Sequence, residues 1–178
     1  AVAEAQAGTE ILILSDRAIS AETMPIHAAL ATGAVHHRLI AEGLRCAVNL
    51  VVETATARDP HHFAVLLGYG ATAIYPYLAH QALHDMARRG EVGERDAATL
   101  AENYHRGINK GLYKVMSKMG ISAVSSYRGA QLFEIVGLHQ EVVERCFEGT
   151  TSRVQGADFD DLDGDIRQLV KIAWNPRK

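Results

Sequence analysis

Short apolar runs alternate with longer amphipathic segments along the chain. Four of these runs predict buried strands, at residues 11–14, 47–52, 73–75 and 121–124. The first two are continuous rather than alternating, a pattern typical of parallel strands that are covered on both faces. We therefore expect a parallel sheet with helices packed on both of its faces.

Helices are predicted between and after these strands, from apolar residues at helical spacing and from Pro, Asp and Gly at the boundaries. They cover residues 25–42, 60–68, 77–89, 95–119, 130–136, 140–147 and 162–174. Residues 149–164, rich in Asp and Gly, are expected to be irregular. Strands that alternate with such helices indicate an α/β fold of βαβ units, arranged as an open sheet or as part of a barrel.

Length and charge limit the classes of function. The 178 residues predict a single α/β domain over 1–178. A net charge of −3, from 18 Lys and Arg against 21 Asp and Glu, gives no electrostatic signal for a nucleic-acid or anionic-membrane partner. No apolar run approaches the roughly 18 residues of a membrane span.

Two cysteines, Cys46 and Cys146, are too few for a disulfide scaffold or a four-cysteine metal centre. Their apolar neighbours predict buried thiols in a reducing cytosol. The sequence begins with Ala1 rather than Met. We therefore expect a processed product, a trimmed chain or a piece excised from something longer.

One glycine-rich motif has the letters of a dinucleotide fingerprint. Residues 68–73 read GYGATA, which fits G-x-G-x-x-A. A true fingerprint follows a strand and opens a helix, whereas this one follows a predicted helix and leads into a predicted strand. The better interpretation is a helix-to-strand turn that needs glycine at positive φ.

Histidine and lysine pairs at helical spacing suggest other sites. His80 and His84 have the i, i+4 spacing of a zinc motif, but they have no glutamate base and no third ligand, so no metal site is expected. Residues 110, 114 and 118 form a lysine stripe that is best explained as a solvated helix face. His61 and His62 occupy the first turn of a helix, where they either pack or contact a neighbouring domain or ligand.

The ends of the predicted strands carry the strongest candidate site. Asp16 and Arg17 follow the first strand, and Glu53 follows the second. The turn after the fourth strand contains three further candidates, namely Ser126, Tyr127 and Arg128. Hydroxyls, a guanidinium and backbone N–H groups at such an edge suit a phosphate or a carboxylate. A capped turn with Arg128 in a structural ion pair fits the same residues equally well.

Taken together, several segments resemble the large subunit of glutamate synthase. They include GAVHHRLIAEGLR at residues 33–45, HHFAVLLGYGA at 61–71 and SYRGAQLFE at 126–134. Further matching stretches lie within residues 13–17, 76–79, 103–112, 114–122 and 149–153. They follow the family order over nearly the whole chain, which makes the resemblance specific.

The resemblance covers the later half of the family's central domain. It implies a parent enzyme in which an amidotransferase domain releases ammonia from glutamine. An FMN-binding barrel domain, with a 3Fe–4S cluster, then uses that ammonia and 2-oxoglutarate to form glutamate. The central domain would be an α/β connector that contributes to the ammonia tunnel. The expected partners are thus the amidotransferase and FMN-binding domains of the same subunit.

This chain lacks the parts of that enzyme that carry its chemistry. Position 1 is Ala1 rather than a catalytic cysteine, the cluster cysteines are missing, and no flavin barrel follows. We therefore expect no catalysis and no cofactor on this chain alone. It would act as a scaffold in the cytoplasm, or in the plastid stroma of a eukaryote. Exposed interdomain faces would favour homo-oligomers of the isolated chain.

From this resemblance, we expect the polar candidates to face neighbouring domains or the channel: Asp16, Arg17, Glu53, His61, His62, Ser126, Tyr127 and Arg128. A stand-alone binding module for a small phosphate- or carboxylate-bearing molecule is the alternative.

Overall fold

A computed structural model describes residues 1–176. Its first sheet contains β1 (Ile11–Ser15), β2 (Asn49–Glu53) and β3 (Ala73–Tyr75), which are parallel and lie in the order β1-β2-β3. Ser15 aligns with Glu53, and Glu53 aligns with Tyr75, so the three strands end at the same level. The first three predicted strands and their parallel arrangement are confirmed.

Except for a short N-terminal helix that the sequence did not predict, the helices around this sheet begin and end close to the predicted residues. They are α1 (Val2–Gln6), α2 (Ala28–Ala41), α3 (Pro60–Gly68), α4 (Tyr77–Arg88) and α5 (Ala97–Lys118), with a 3-10 turn at Arg45–Ala47. The helix predicted from residue 25 begins three residues later. The His27 imidazole caps it by accepting a hydrogen bond of 3.2 Å from the Ala29 N–H.

The second half of the chain forms a smaller parallel sheet. The elements are α6 (Val124–Tyr127), β4 (Glu134–Leu138), α7 (Gln140–Cys146), β5 (Thr151–Ala157) and α8 (Phe159–Trp174), with β4 paired to β5. The predicted strand at 121–124 is therefore wrong, as is the predicted helix at 130–136. Residues 149–164, expected to be irregular, contain a strand and the start of a helix.

Left-handed backbone and local capping explain these differences. Gly129 (φ +69) and Gln131 (φ +53) interrupt any helix after residue 128. Ile135, Val136 and their neighbours then extend as β4. The Asp-rich stretch is a capping box, in which the Asp158 carboxylate accepts hydrogen bonds from the N–H groups of Asp160 and Asp161 at the start of α8.

The main core lies between the two sheets, where α2 and α3 pack against α7 and β4. Its members include Leu30, Val52, Leu66, Val142 and Phe147. Gly33 of α2 lies so close to α7 that a Cβ atom there would overlap the carbonyl oxygen of residue 146. The two halves of the chain are thus in backbone contact.

One face of the first sheet is left uncovered. Leu12 is buried with Leu39 of α2, whereas Ile11 and Ile13 are 58% and 63% exposed. The prediction that both faces of the sheet are covered is therefore wrong for β1. We call the surface formed by Ile11 and Ile13 the open sheet face.

The two cysteines have different environments. Cys146 is buried as predicted, and burial raises the pKa of its thiol. Cys46 is exposed in the 3-10 turn, so its predicted burial is wrong. Within residues 1–176, no helix has the length and apolar character that crossing a membrane requires.

Candidate functional site

The carboxyl ends of β1, β2 and β3 bring polar side chains together at one edge of the sheet. We call this group the carboxyl-edge cluster: Ser15, Asp16, Arg17, Glu53, Thr54, Tyr75 and Tyr77. Parallel strands place their carboxyl ends side by side, and open α/β sheets bind ligands there. The prediction that Asp16, Arg17 and Glu53 share one edge is confirmed.

Glu53 is held from two sides. Its Oε1 accepts a hydrogen bond of 2.5 Å from Nε of Arg17, and its Oε2 accepts one of 2.6 Å from the Ser15 hydroxyl. These hydrogen bonds, first from Ser15 and then from Arg17, lower the pKa of the Glu53 carboxyl. The Arg17 guanidinium also lies 4.4 Å from the ring centroid of Tyr77, within cation–π range.

Asp16 is equally occupied by protein groups. Its carboxylate accepts hydrogen bonds from the Thr54 hydroxyl (2.6 Å) and from the Ala55 N–H (3.1 Å). Burial, together with a hydrogen bond to Asp16, raises the pKa of Tyr77 to about 12. Both carboxylates of the cluster therefore brace the loops after the strands and are not left free for a ligand.

The start of α3 adjoins the same edge because it follows β2. Asp59 caps the helix by accepting hydrogen bonds from the N–H groups of His61 (2.9 Å) and His62 (3.2 Å). Nδ1 of His62 accepts a hydrogen bond from the N–H of Arg58, so this imidazole belongs to the cap. The His61 side chain is exposed.

A groove of about 390 Å³ runs beside the cluster. Its walls are mainly apolar, and its polar members are Thr23 and four residues of the carboxyl-edge cluster, Ser15, Asp16, Glu53 and Thr54. A mostly apolar concavity with a few polar groups is the usual form of a small-molecule site. Here the side chains of the four cluster residues already have protein partners, so the groove is better suited to an apolar side chain than to a charged ligand.

The three candidates at 126–128 lie elsewhere, which corrects the prediction that they share this edge. The predicted fourth strand does not exist. Instead, α6 packs Tyr127, 3% exposed, against Ala64 and Met116. Ser126 is exposed, and Arg128 approaches Thr72 at the beginning of β3. Arg128 thus belongs to the amino edge of the sheet.

Of the two histidines suggested by helical spacing, only His80 has a packing role in the described residues. The His80 ring stacks on Tyr75 at 5.7 Å and meets Tyr104 edge-on, while His84 is exposed. In the part of the chain that the structure describes, no three His, Cys, Asp or Glu side chains are grouped to hold a metal ion.

The residues of this chain do not fit the cofactors that the resemblance implies. A 3Fe–4S cluster needs three thiolate ligands, whereas the sequence has two cysteines, one exposed and one buried in α7. The described strands form open sheets of three and two strands, which do not make an FMN-binding barrel.

Sequence reasoning missed Thr54 and Tyr77 as members of the cluster. A signal for Tyr77 was available, since it follows β3 as Arg17 follows β1, two residues beyond a predicted strand end. Thr54 carries no such signal, because a buried threonine after a strand is common.

The fold and this edge define a parallel α/β segment of the βαβ class. The glutamate synthase central domain family matches residues 1–139. Because this match covers more than half of the chain, the chain belongs to that family.

Individual relatives agree with this assignment. The chain is 46% identical to ferredoxin-dependent glutamate synthase 2 of Synechocystis sp., with 98% of the chain and 12% of the relative aligned. It is 44% identical to the NADH glutamate synthase of Saccharomyces cerevisiae (96% and 8%) and 45% identical to the NADPH glutamate synthase large chain of Bacillus subtilis (94% and 11%). The chain thus spans about a tenth of the length of these relatives.

Proposed function

We propose that this chain is a segment of a glutamate synthase polypeptide that connects the amidotransferase and FMN-binding domains. In that enzyme, glutamine supplies ammonia, and 2-oxoglutarate accepts it to become glutamate. The proposal is supported by relatives that are named glutamate synthases and that align with this chain over only 8–12% of their length.

The open sheet face is the structural observation that carries the connector role. Ile11 and Ile13 expose large apolar side chains on a sheet face that the described residues do not cover. Apolar patches of this kind mark interaction sites. The occupant we propose is another part of the same polypeptide, since most of a relative's length lies outside this segment.

The carboxyl-edge cluster supports a positioning role. Arg17, Glu53 and Asp16 join the loops after β1 and β2 to each other, and Tyr77 anchors the start of α4 to the same group. A braced edge of this kind holds exposed groups such as His61 in fixed positions for a neighbouring domain. The proposed interdomain contacts therefore include Arg17, His61 and Ser126, but not the buried Tyr127.

The alternative, a stand-alone small-molecule module at the carboxyl edge, has less support. An incoming phosphate or carboxylate would have to displace Glu53 from Arg17 or meet two occupied carboxylates. Cofactor chemistry is proposed to reside in other domains, because the residues of this chain fit neither the cluster nor the flavin.

The connector role is tested by replacing the open sheet face in the longer synthase. In the double variant Ile11→Ser with Ile13→Ser, the contact between domains should weaken, so that part of the ammonia escapes before it reacts with 2-oxoglutarate. The ratio of glutamine hydrolysed to glutamate formed should then rise above that of the parent enzyme. Ile172→Ser is the matched control, because it removes an exposed isoleucine from α8, outside the family match.

The two half-reactions are measured separately, as glutaminase activity and as glutamate formation. A folded double variant with an unchanged ratio would contradict the connector role. A rise of equal size in Ile172→Ser would contradict it as well.

A further inference from the structure

Two arginines converge at the amino edge of the first sheet, opposite the carboxyl-edge cluster. Arg45 donates hydrogen bonds to the carbonyl oxygens of Val48 (2.6 Å) and Gly70 (2.7 Å). Nη1 of Arg128 lies 3.5 Å from Oγ1 of Thr72. Because Gly70 and Thr72 belong to the same turn before β3, the two guanidinium groups flank that turn.

His36 of α2 completes the group, and its protonation state follows from its partner. Nε of Arg45 donates to Nδ1 of His36 at 2.8 Å, so the imidazole is neutral and carries its proton on Nε2. Burial, and then the positive charges of Arg45, His37 and Arg128, lower the pKa of His36 to about 4. Gly70 (φ +108) lets the ring pack on the turn, since a Cβ atom there would overlap it.

No carboxylate balances these charges among residues 1–176, because none lies within 4.0 Å of either guanidinium. Arg17, Arg38 and Arg106, by contrast, each contact one. The group still has hydrogen-bond donors to offer a ligand, namely the remaining N–H groups of the arginines, the Thr72 hydroxyl and Nε2–H of His36. Like charges gathered with donors form the environment that oxyanions recognise.

A cavity of about 340 Å³ lies beside this group, and His36 is the member of the group that lines it. The wall also contains Gly129 and the carboxylate of Glu148, which lies 4.0 Å from Nδ1 of His37. Two residues of the same wall have unusual features. Nε2 of His37 is buried without a hydrogen-bond partner among the described residues. Gln131 adopts φ +53, a left-handed conformation that is costly for a residue other than glycine. Orphan polar atoms and backbone strain of this kind recur at binding sites.

We propose that the amino-edge group, formed by His36, Arg45, Thr72 and Arg128, binds an oxyanion, either a carboxylate or a phosphate. The rest of the ligand occupies the cavity bordered by His37 and Gln131. The oxyanion belongs to a free small acid or to an acidic side chain from elsewhere in a longer polypeptide. This inference does not rest on the connector role, and it is tested first on the 178-residue chain.

The test follows the imidazole of His36 by NMR while inorganic phosphate or succinate is added to the chain. Bound anion offsets the charges of Arg45 and Arg128, so the pKa of His36 should rise from about 4 in a saturable manner. Arg128→Gln should weaken the binding at least tenfold. Arg128→Lys, which keeps the charge but loses the planar fork, should give an intermediate affinity.

Arg106→Gln is the matched control, because it removes an exposed arginine that pairs with Glu102 on α5. It should leave anion binding unchanged. If the oxyanion is a side chain of a longer polypeptide, the 178-residue chain will not saturate. In the longer synthase, the pH dependence of His36 modification by diethyl pyrocarbonate will then already show a pKa above that of His36 in the 178-residue chain.

Two results would overturn the proposal. One is a pKa of His36 that stays near 4 in the chain with either anion and in the longer synthase. The other is saturable binding that survives Arg128→Gln undiminished. Neither result bears on the glutamine-to-glutamate ratio, so the connector role and the anion site can fail independently.

Discussion

Two glycines in exposed and buried settings show how single atoms control the packing of this chain. Gly33 of α2 faces the backbone of residue 146, where a Cβ atom has no room. Gly107 lies on the exposed face of α5 with no atom near the position of a Cβ. The same substitution should therefore have opposite effects at the two positions.

Gly33→Ala should destabilise the chain by roughly 1–3 kcal/mol, because α2 and α7 must move apart to admit the methyl group. Gly107→Ala should stabilise it by roughly 0.5–1 kcal/mol, since alanine loses less backbone entropy in a helix. Urea denaturation of both variants measures the two free energies of unfolding. Equal midpoints in the two variants would contradict the close approach of α2 to α7.

Histidines give the chain a pH dependence at the residue scale. Burial lowers the pKa values of His27, His37 and His80, and that of His36 falls to about 4. Between pH 6.5 and 4 the unfolded chain binds protons that the folded chain does not. The free energy of unfolding should therefore decrease as the pH is lowered through this range. Carboxylates with lowered pKa values, such as that of Glu53, stabilise the fold while they are ionised. That stabilisation is lost only below about pH 4.5, where they begin to be protonated.

Unfolding free energies measured from pH 7.5 to 4.5 check this prediction. His36→Gln should reduce the slope, by less than about 1.4 kcal/mol per pH unit because solvent screens a half-exposed ring. His84→Gln, at an exposed position of α4, serves as the control and should leave the slope unchanged. A free energy of unfolding that is flat across this window would contradict the lowered pKa values of these histidines.

Among the elements, α3 has the most complete local signal. The carboxylate of its cap, Asp59, accepts hydrogen bonds from two backbone N–H groups, and Nδ1 of His62 accepts one from the N–H of Arg58. Asp59→Ala should cost about 0.5–2 kcal/mol of stability, whereas Asp59→Asn should cost a few tenths, since the amide oxygen can still accept. Thermal unfolding compares the variants. An alanine variant as stable as the asparagine variant would show that the cap contributes nothing.

The elements that the sequence predicted well are those with local signals. Asp59, Pro60 and Gly68 mark both ends of α3, and the apolar run Ile11–Leu14 marks β1. By contrast, β5 exposes nearly every side chain and exists through its pairing with β4. A contact between distant segments leaves no pattern in a polar strand, and for this reason residues 149–164 appeared irregular.

The residues of the candidate site also differ in how much of their placement the sequence predicts. Asp16, Arg17 and Glu53 could be placed together because each follows a strand of one parallel sheet. Arg128 could not, because its predicted strand rested on four residues after Gly120, and these pack Ile121 against the core instead of extending a sheet. Arg128 contacts Thr72, and Arg45 contacts Gly70 of the same turn, a juxtaposition that only the folded chain creates.

At the scale of the whole molecule, the open sheet face and the two polar edges make sense in a longer polypeptide. At the carboxyl edge, the carboxylates are hydrogen-bonded by protein groups. The arginines of the amino edge have no carboxylate partner among the described residues, and Ile11 and Ile13 are exposed to solvent. Such surfaces would suit the proposed segment, held between other domains. We therefore propose that this sequence works as part of a glutamate synthase chain.

The size of the native polypeptide tests that claim most directly. An antibody raised against the 178-residue chain would be used to detect it, by immunoblot, in a denatured lysate of the source cells. Since the chain aligns with 8–12% of its relatives, we predict a band roughly eight to twelve times heavier than the chain itself. A single band at the mass of 178 residues would contradict the account.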